Sequence, residues 1–141
     1  WRGWLEGCEI KVEAWRLSGP TSLFKSAWES KSSLVVSYSR MSALILDFTD
    51  LFDKFVVDDL EQLGSGSLDA LRPHINAGKI SVNSFYAEIG EIVAGLKPGR
   101  ESDEEAILFW HRGLATSDIA LGAAMLEKAT AMGLGVEFSY A

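Results

Sequence analysis

The sequence predicts an α/β fold in which short buried strands and short helices are followed by one long helix. Three apolar segments have the length and composition of buried strands, and they lie at residues 34–39, 55–57 and 106–110. Between residues 114 and 132 the apolar side chains recur instead at the spacing of a helix. Strands interleaved with helices are typical of one sheet covered by helices, which is an α/β layer.

Composition limits the size and the partners of the protein. The 141 residues, 48% of them hydrophobic, are enough for one domain with a core. A net charge of −7 without a basic stripe argues against nucleic-acid binding, and no apolar run approaches the length of a membrane span. The single cysteine, Cys8, cannot form an internal disulfide, and no signal peptide is visible. We therefore expect a cytoplasmic protein with neither nucleic-acid nor membrane partners.

The remaining elements are predicted from weaker patterns. Residues 9–15 alternate loosely and could form a strand, but the rest of the segment 1–20 has no clear pattern and stays unplaced. Apolar residues between 82 and 93 recur at helical spacing and predict a helix that ends at Gly95. Residues 101–105 form an acidic run expected to be solvated, and residues 136–138 predict a last strand.

Polar residues mark the carboxyl ends of two predicted strands. Ser37 and Ser39 lie at the end of the segment 34–39, and His111 and Arg112 close the segment 106–110 before Gly113. Ligands of open parallel sheets bind beyond these strand ends, and free backbone N–H groups gather where a helix begins. The same residues could equally do no more than start loops.

Two adjacent carboxylates, Asp58 and Asp59, follow the predicted strand 55–57. Neighbours on an extended chain point to opposite faces, so adjacency does not make them an acid/base pair. We give more weight to a capping role for Asp59 at a helix start than to site chemistry. No set of His, Cys and carboxylate residues has zinc spacing, so no metal site is predicted.

Several sequence segments together resemble one protein family. These are FVVDDLEQ at 55–62, AEIGEIVAG at 87–95 and PGRESDEE at 98–105, followed by Leu108, Phe109, Gly113, Ala115 and Asp118. Their order and spacing resemble the ornithine cyclodeaminase/mu-crystallin family over roughly the last two-thirds of the chain. Agreement of several pieces in order is more specific than one short motif.

The resemblance implies a protein that uses NAD or NADP. Family members combine a Rossmann-like domain with a dimer-forming domain that binds a small amino-acid-derived substrate. They catalyse cyclodeamination of ornithine, reduction of cyclic ketimines or oxidation of amino acids. We therefore expect residues 21–141 to form the C-terminal part of an NAD(P)-binding domain in a homodimer. Its fold would be a partial Rossmann-like sheet with flanking helices and a long C-terminal helix at 114–132.

The resemblance also assigns roles to the residues at the strand ends. It implies cofactor binding by Ser37, His111, Arg112 and Gly113, and a catalytic position at Ser39. Ornithine cyclodeaminases of the family carry an aspartate near Ser39, and a serine cannot act as a carboxylate base, so ketimine reduction is favoured. His111 could donate to the cofactor or substrate, or could be a hydrogen-bonded histidine behind them. Arg112 could hold a carboxylate with two hydrogen bonds, or pair with the nearby acidic run.

Two parts of the family pattern are missing from the sequence. There is no Gly-x-Gly-x-x-Gly unit to bind a pyrophosphate, and there is no N-terminal domain with basic residues for a substrate carboxylate. Since the chain also begins at Trp1, we expect the C-terminal part of such an oxidoreductase, inactive alone. The alternative is a non-catalytic, mu-crystallin-like module that binds or oligomerises through the apolar helix 114–132.

Overall fold

A computed structural model describes residues 7–14, 32–38, 46–64 and 72–139. In these segments five parallel strands form one sheet in the order β1-β2-β5-β3-β4. The strands are β1 Ile10–Glu13, β2 Leu34–Tyr38, β3 Lys54–Val57, β4 Ala87–Glu88 and β5 Ile107–His111. The helices are α1 Glu61–Gly64, α2 Arg72–Asn76, α3 Ile89–Val93 and α4 Ala115–Ala131, with short 3-10 turns at Leu46–Leu51 and Val82–Ser84.

Four of the five strands that the sequence indicates are confirmed. Strands β2, β3 and β5 lie at the three apolar segments, and β1 falls within the loosely alternating stretch 9–15. Strand β1 pairs with β2 along its whole length, which places four residues of the segment 1–20 at the edge of the sheet. The sheet is therefore parallel and the fold is α/β, as the order of elements predicts.

One face of the sheet carries the hydrophobic core. Val35 pairs with Leu108 in the register of β2 and β5, and Val57 pairs with Trp110 in the register of β3 and β5. Because paired residues point to the same face, these side chains form one buried layer. The residues packed in this core are Val35, Phe48, Phe52, Val57, Ile80, Ala106, Leu108 and Trp110.

The helix predicted between residues 82 and 95 is wrong as a single element. A 3-10 turn at Val82–Ser84 is followed by β4, which pairs with Val56 and Val57, and only then by α3. Ala87 is fully buried by this pairing, and the Glu88 N–H donates to the Glu91 carboxylate at 2.9 Å to cap α3. Sheet pairing and capping thus override the local helical spacing.

The acidic run 101–105 is solvated only in part, which corrects the sequence-based expectation. Glu101 and Glu105 lie 2.5 and 3.0 Å from the Nζ atom of Lys54, whose side chain is 9% exposed. Asp103 and Glu104 between them are exposed, as expected. The run therefore attaches the loop before β5 to the beginning of β3.

Helix α4 lies where the long helix was predicted, and its end is well defined. The N–H of Gly133 donates to Thr130, and the N–H of Leu134 donates to Ala129, at 3.1 and 2.9 Å. With Gly133 at φ +64° this is a Schellman ending. The predicted strand 136–138 is wrong: the described chain pairs it with no other strand, and its side chains are exposed.

Apolar residues occur nearly all round α4, a pattern that predicts a helix buried on most sides or packed against a partner, yet within this chain the helix is exposed. Ile119, Leu121, Met125 and Leu126 each expose 63–72% of their surface. None of the described helices combines the length and the hydropathy needed to cross a membrane.

Candidate functional site

The carboxyl ends of β2, β5 and β3 lie side by side. His111 pairs with Tyr38 in the register of β2 and β5, and Asp58 directly follows β3 at the position beside the end of β5. Residues far apart in sequence, at 38, 58 and 111–113, therefore meet at one edge of the sheet. This edge, which we call the carboxyl edge, is where ligands of parallel sheets bind.

Asp58 is the central residue of the carboxyl edge. Its Oδ2 atom accepts the backbone N–H groups of Arg112 and Gly113, both at 2.7 Å. The same oxygen lies 3.2 Å from Nδ1 of His111, and the Asp58 side chain is 3% exposed. A buried carboxylate with these contacts fixes the turn between β5 and α4.

Sequence reasoning gave Asp58 too little weight. Asp59 does have the predicted capping role, since its Oδ1 atom accepts the N–H of Glu61 at 2.8 Å. Asp58 instead points toward β5, which the adjacency of the two carboxylates does not reveal. The sequence signal was a carboxylate directly after a buried strand, and only the structure shows that this strand lies beside the one that ends in His-Arg-Gly.

His111 is held on several sides and is partly open to solvent. Its ring centroid lies 5.1 Å from that of Tyr38 and 5.5 Å from that of Phe109. The side chain is 30% exposed, yet its Nδ1 atom is buried against Asp58. The exposed part of the imidazole is therefore the part away from Nδ1.

Arg112 and Gly113 shape the turn. The two backbone N–H groups expected to face a ligand here are bonded to Asp58. Gly113 adopts φ +96°, which explains a glycine at this position without any ligand. The guanidinium carbon of Arg112 lies 5.7 Å from the centre of the Trp110 ring, a distance typical of a cation–π contact.

Ser37 lies on the other face of the sheet from His111. It pairs with Trp110 in the register, is fully buried, and donates its hydroxyl to Oε2 of Glu13 at 3.0 Å. The structure thus brings His111, Arg112 and Gly113 together at the carboxyl edge but does not bring the Ser37 side chain to them. Ser39 lies outside the described residues, and its catalytic role stays a prediction.

Among the residues that the structure describes, no three His, Cys, Asp or Glu side chains are grouped so that they could hold a metal ion. The chemistry available at the carboxyl edge is that of an imidazole, a carboxylate and aromatic rings.

Solved structures with this fold define the class of protein. The chain superposes on the Δ1-pyrroline-2-carboxylate reductase of Thermococcus litoralis, solved with NADH and L-proline, with a TM-score of 0.79 and 28% identity. An archaeal alanine dehydrogenase dimer with bound NAD gives a TM-score of 0.71 at 30% identity. The matches cover 97% and 95% of this chain and 42% of each of those chains. The fold is that of Rossmann-like dehydrogenases.

Sequence comparison then identifies the family. The sequence model of the ornithine cyclodeaminase/mu-crystallin family matches residues 44–133, and the chain belongs to this family. The resemblance inferred from the motifs is thereby confirmed.

Two curated relatives show how much of the family's length is present. An alanine dehydrogenase of Archaeoglobus fulgidus is 41% identical over 87 residues, which are 62% of this chain and 26% of the relative. A Δ1-pyrroline-2-carboxylate reductase of Bacillus thuringiensis is 36% identical over 88 residues, 62% of this chain and 27% of the relative. The chain therefore spans about a quarter of the length of the curated relatives it matches.

Proposed function

We propose that the protein is part of an oxidoreductase that acts on amino-acid-derived imines or amines with NAD(H) or NADP(H). The observation that carries the proposal is the carboxyl edge of a Rossmann-like sheet, with a partly exposed imidazole, in a chain of this family. Relatives whose names specify reduction of a cyclic imine or dehydrogenation of an amino acid support the same reaction class.

The reaction is a balanced two-electron exchange. When bound, the nicotinamide supplies a hydride to the imine carbon, and the imine nitrogen gains a proton to give the amine; the reverse direction oxidises the amine. The protein's own contribution is orientation and proton handling. Both require groups fixed at the edge of the sheet, which is what Asp58 does for the His111–Gly113 turn.

The residues at the carboxyl edge fit such a ligand. Tyr38, 47% exposed, and His111 present aromatic rings beside each other, and an imidazole can bond a carboxamide or an imine nitrogen. The bond that Ser37 makes to Glu13 favours a supporting role behind the site over direct cofactor contact. We propose that Ser39 occupies the catalytic position. Its neutral hydroxyl favours imine reduction over cyclodeamination.

NADH titration of the oxidoreductase that contains this chain, followed by tryptophan fluorescence, tests cofactor binding. We expect saturable quenching, and loss of one hydrogen bond in His111→Gln should weaken affinity by about tenfold. Lys79→Gln, a change in an exposed ion pair, is the matched control and should leave affinity unchanged. Absence of saturable binding to that oxidoreductase would contradict the proposal.

Substrate class can be tested by NADH oxidation. Cyclic imino acids such as Δ1-pyrroline-2-carboxylate, and pyruvate with ammonia, are the two substrate types that the names of the relatives indicate. For the oxidoreductase that contains this chain, turnover of the first type and not of ornithine is the expected outcome if Ser39 stands in the catalytic position. Release of ammonia from ornithine would show that our interpretation of Ser39 is wrong.

A second candidate function is association without catalysis. The apolar side chains of α4 are exposed, and so are Leu134, Val136 and Phe138 after it, at 61–85% of their surface. Apolar surface of this extent marks an interaction site, and one solved relative is a dimer. We infer a homodimer for the oxidoreductase as well, so nucleotide affinity distinguishes the two candidates.

Sedimentation measurements decide whether α4 mediates association. Leu126→Glu should shift the protein toward the monomer, whereas Lys128→Glu on the same helix should not. Self-association combined with no affinity for NADH or NADPH would favour the association module over the oxidoreductase.

A further inference from the structure

One oxygen of Asp58 touches three consecutive residues of the turn after β5. Oδ2 lies 2.7 Å from the backbone nitrogens of Arg112 and Gly113 and 3.2 Å from Nδ1 of His111. The other oxygen, Oδ1, accepts the N–H of Asp59 at 3.1 Å. Both oxygens of this buried carboxylate are therefore fixed in direction by backbone donors, which makes Asp58 a rigid reference point for the imidazole.

The proximity of Oδ2 bears on which ring nitrogen of His111 carries a proton. Nδ1 is buried and makes no aligned hydrogen bond, so water does not compensate for an unfavourable contact there. At 3.2 Å the contact with Oδ2 is electrostatic: the lone pair of an unprotonated Nδ1 beside a carboxylate oxygen is repelled, whereas an Nδ1–H dipole is attracted. In a neutral imidazole the proton on Nδ1 leaves Nε2 as a hydrogen-bond acceptor.

The neighbouring rings limit how the imidazole can turn away. Tyr38 and Phe109 lie on the same face of the sheet as His111, with ring centroids at 5.1 and 5.5 Å. The ring is thus held between aromatic neighbours and the Asp58 carboxylate. His111 is the last residue of β5, so the exposed 30% of its side chain lies at the carboxyl edge.

We infer that Asp58 is a positioning residue that fixes His111 with its proton on Nδ1. His111 then offers Nε2 as an acceptor to a ligand group that bears an N–H, such as a carboxamide or a protonated imine. The tautomer is inferred from the burial of Nδ1 and its contact with the Asp58 carboxylate, and only the identity of the ligand rests on the proposed function. Asp58 acts through His111 and does not itself touch the ligand.

Nitrogen NMR of the ligand-free protein tests the tautomer directly. With ¹⁵N-labelled histidine, a protonated ring nitrogen resonates upfield and an unprotonated one far downfield, and His111→Gln identifies the signals. At a pH where the ring is neutral we expect Nδ1–H in the parent protein, although free histidine prefers Nε2–H. An Nε2–H tautomer in the parent would overturn the inference whatever the variants do.

Three variants at the two adjacent carboxylates separate positioning from folding. Asp58→Ala should switch His111 to Nε2–H. Asp58→Asn should keep Nδ1–H, because the two backbone donors orient the amide oxygen to the place of Oδ2. Asp59→Asn is the matched control, since the Asp59 carboxylate accepts the N–H of Glu61, whereas the three contacts to the turn are made by Asp58. A folded Asp58→Ala protein that retains Nδ1–H would contradict the inference; if it fails to fold, the parent tautomer decides.

Addition of NADH to the same samples separates this inference from the proposed function. A shift of the His111 Nε2 resonance on saturation supports both. The expected tautomer with no response to NADH or to a cyclic imino acid would support the positioning role of Asp58 and count against the proposed ligand.

Discussion

Lys54 at the beginning of β3 and Glu105 in the loop before β5 form an ion pair, with Nζ 3.0 Å from Oε1. Lys54 also bonds Glu101 and donates to the carbonyl oxygen of Gly99 at 2.9 Å, and its ammonium lies 4.8 Å from the centre of the Tyr86 ring. One nearly buried lysine thus connects β3, the acidic run and the segment before β4. This cluster lies at the amino ends of the strands, opposite the carboxyl edge.

The Lys54 cluster predicts how stability depends on pH at the acid side. The backbone N–H of Glu101, and then Lys54, hold the pKa of Glu105 below its ordinary 4.5, and the backbone N–H of Glu88, and then Lys97, do the same for Glu91. A lowered folded-state pKa contributes stability above the unfolded value that is lost as pH falls through the folded value. Urea unfolding should show this loss below pH 4.5, and a smaller one in Glu105→Gln.

At alkaline pH the direction of the pKa shift is reversed, so stability is lost as pH rises. Burial lowers the pKa of Lys54, but hydrogen bonds to Glu101 and Glu105 outweigh it and raise the pKa above 10.5. A raised folded-state pKa contributes stability that is complete below the unfolded value and is lost as pH rises through the folded value. We expect urea unfolding midpoints to fall only above pH 10.5, and a loss that begins near neutrality would contradict this assignment.

Lys54→Met should destabilise the protein more than Lys79→Met. The Lys54 side chain is 9% exposed, and its replacement leaves two carboxylates without their partner. The Lys79 side chain is 31% exposed and pairs with Asp50 and Asp47 at the surface. Exposed pairs contribute little, and breaking a shielded one costs more. The comparison is made by denaturant unfolding of both variants, and equal effects would show that the Lys54 cluster is screened by solvent.

Gly113→Ala and Gly122→Ala should change stability in opposite directions. Neither added methyl group meets an atom within 4 Å, so only the backbone conformation matters. At φ +96° alanine is strained, and we expect a loss of about 2 kcal/mol in the free energy of unfolding. Within the exposed helix α4 alanine is the better residue, with an expected gain of about 0.5–1 kcal/mol. Chemical unfolding measures both, and a neutral Gly113→Ala would rule out the proposed strain.

Leu108→Ala and Leu126→Ala compare the core with the exposed helix. Leu108 is fully buried in the sheet, so truncation should cost about 3 kcal/mol in the free energy of unfolding. Leu126 is 68% exposed, and its truncation should cost less than about 0.5 kcal/mol in a monomer. A larger loss for Leu126→Ala that grows with protein concentration would instead indicate that α4 is buried in an oligomer.

Much of the fold could be predicted because its signals are local. The apolar runs that became β2, β3 and β5 are continuous, as in strands buried on both sides, and α4 carries its own helical pattern and its Gly133 ending. The helix prediction for Val82 to Val93 was wrong because Ala87 and Glu88 form a strand. That strand pairs with Val56 and Val57, which the local spacing of apolar residues cannot reveal.

The residues of the candidate site, too, could be predicted where their signals are local and not where they depend on strand pairing. His111, Arg112 and Gly113 could be singled out from the sequence, since polar residues and a glycine break closed an apolar strand. The bonds from Asp58 to both backbone N–H groups of this turn could not be predicted from the sequence. The contact spans more than fifty residues of chain and depends on β3 lying beside β5. The same register turned Ser37 toward Glu13 and away from His111.

The sequence by itself determined the α/β class, most of the strands, the long helix and, through its motifs, the family. These follow from hydrophobic period, glycine and proline positions and residue order, which are properties of the chain alone. Only the tertiary structure decided which carboxylate fixes the His111–Gly113 turn, which lysine pairs with the acidic run, and which face each strand-end residue occupies. Those outcomes are set by strand order and register, because a parallel sheet brings together residues that no local pattern relates.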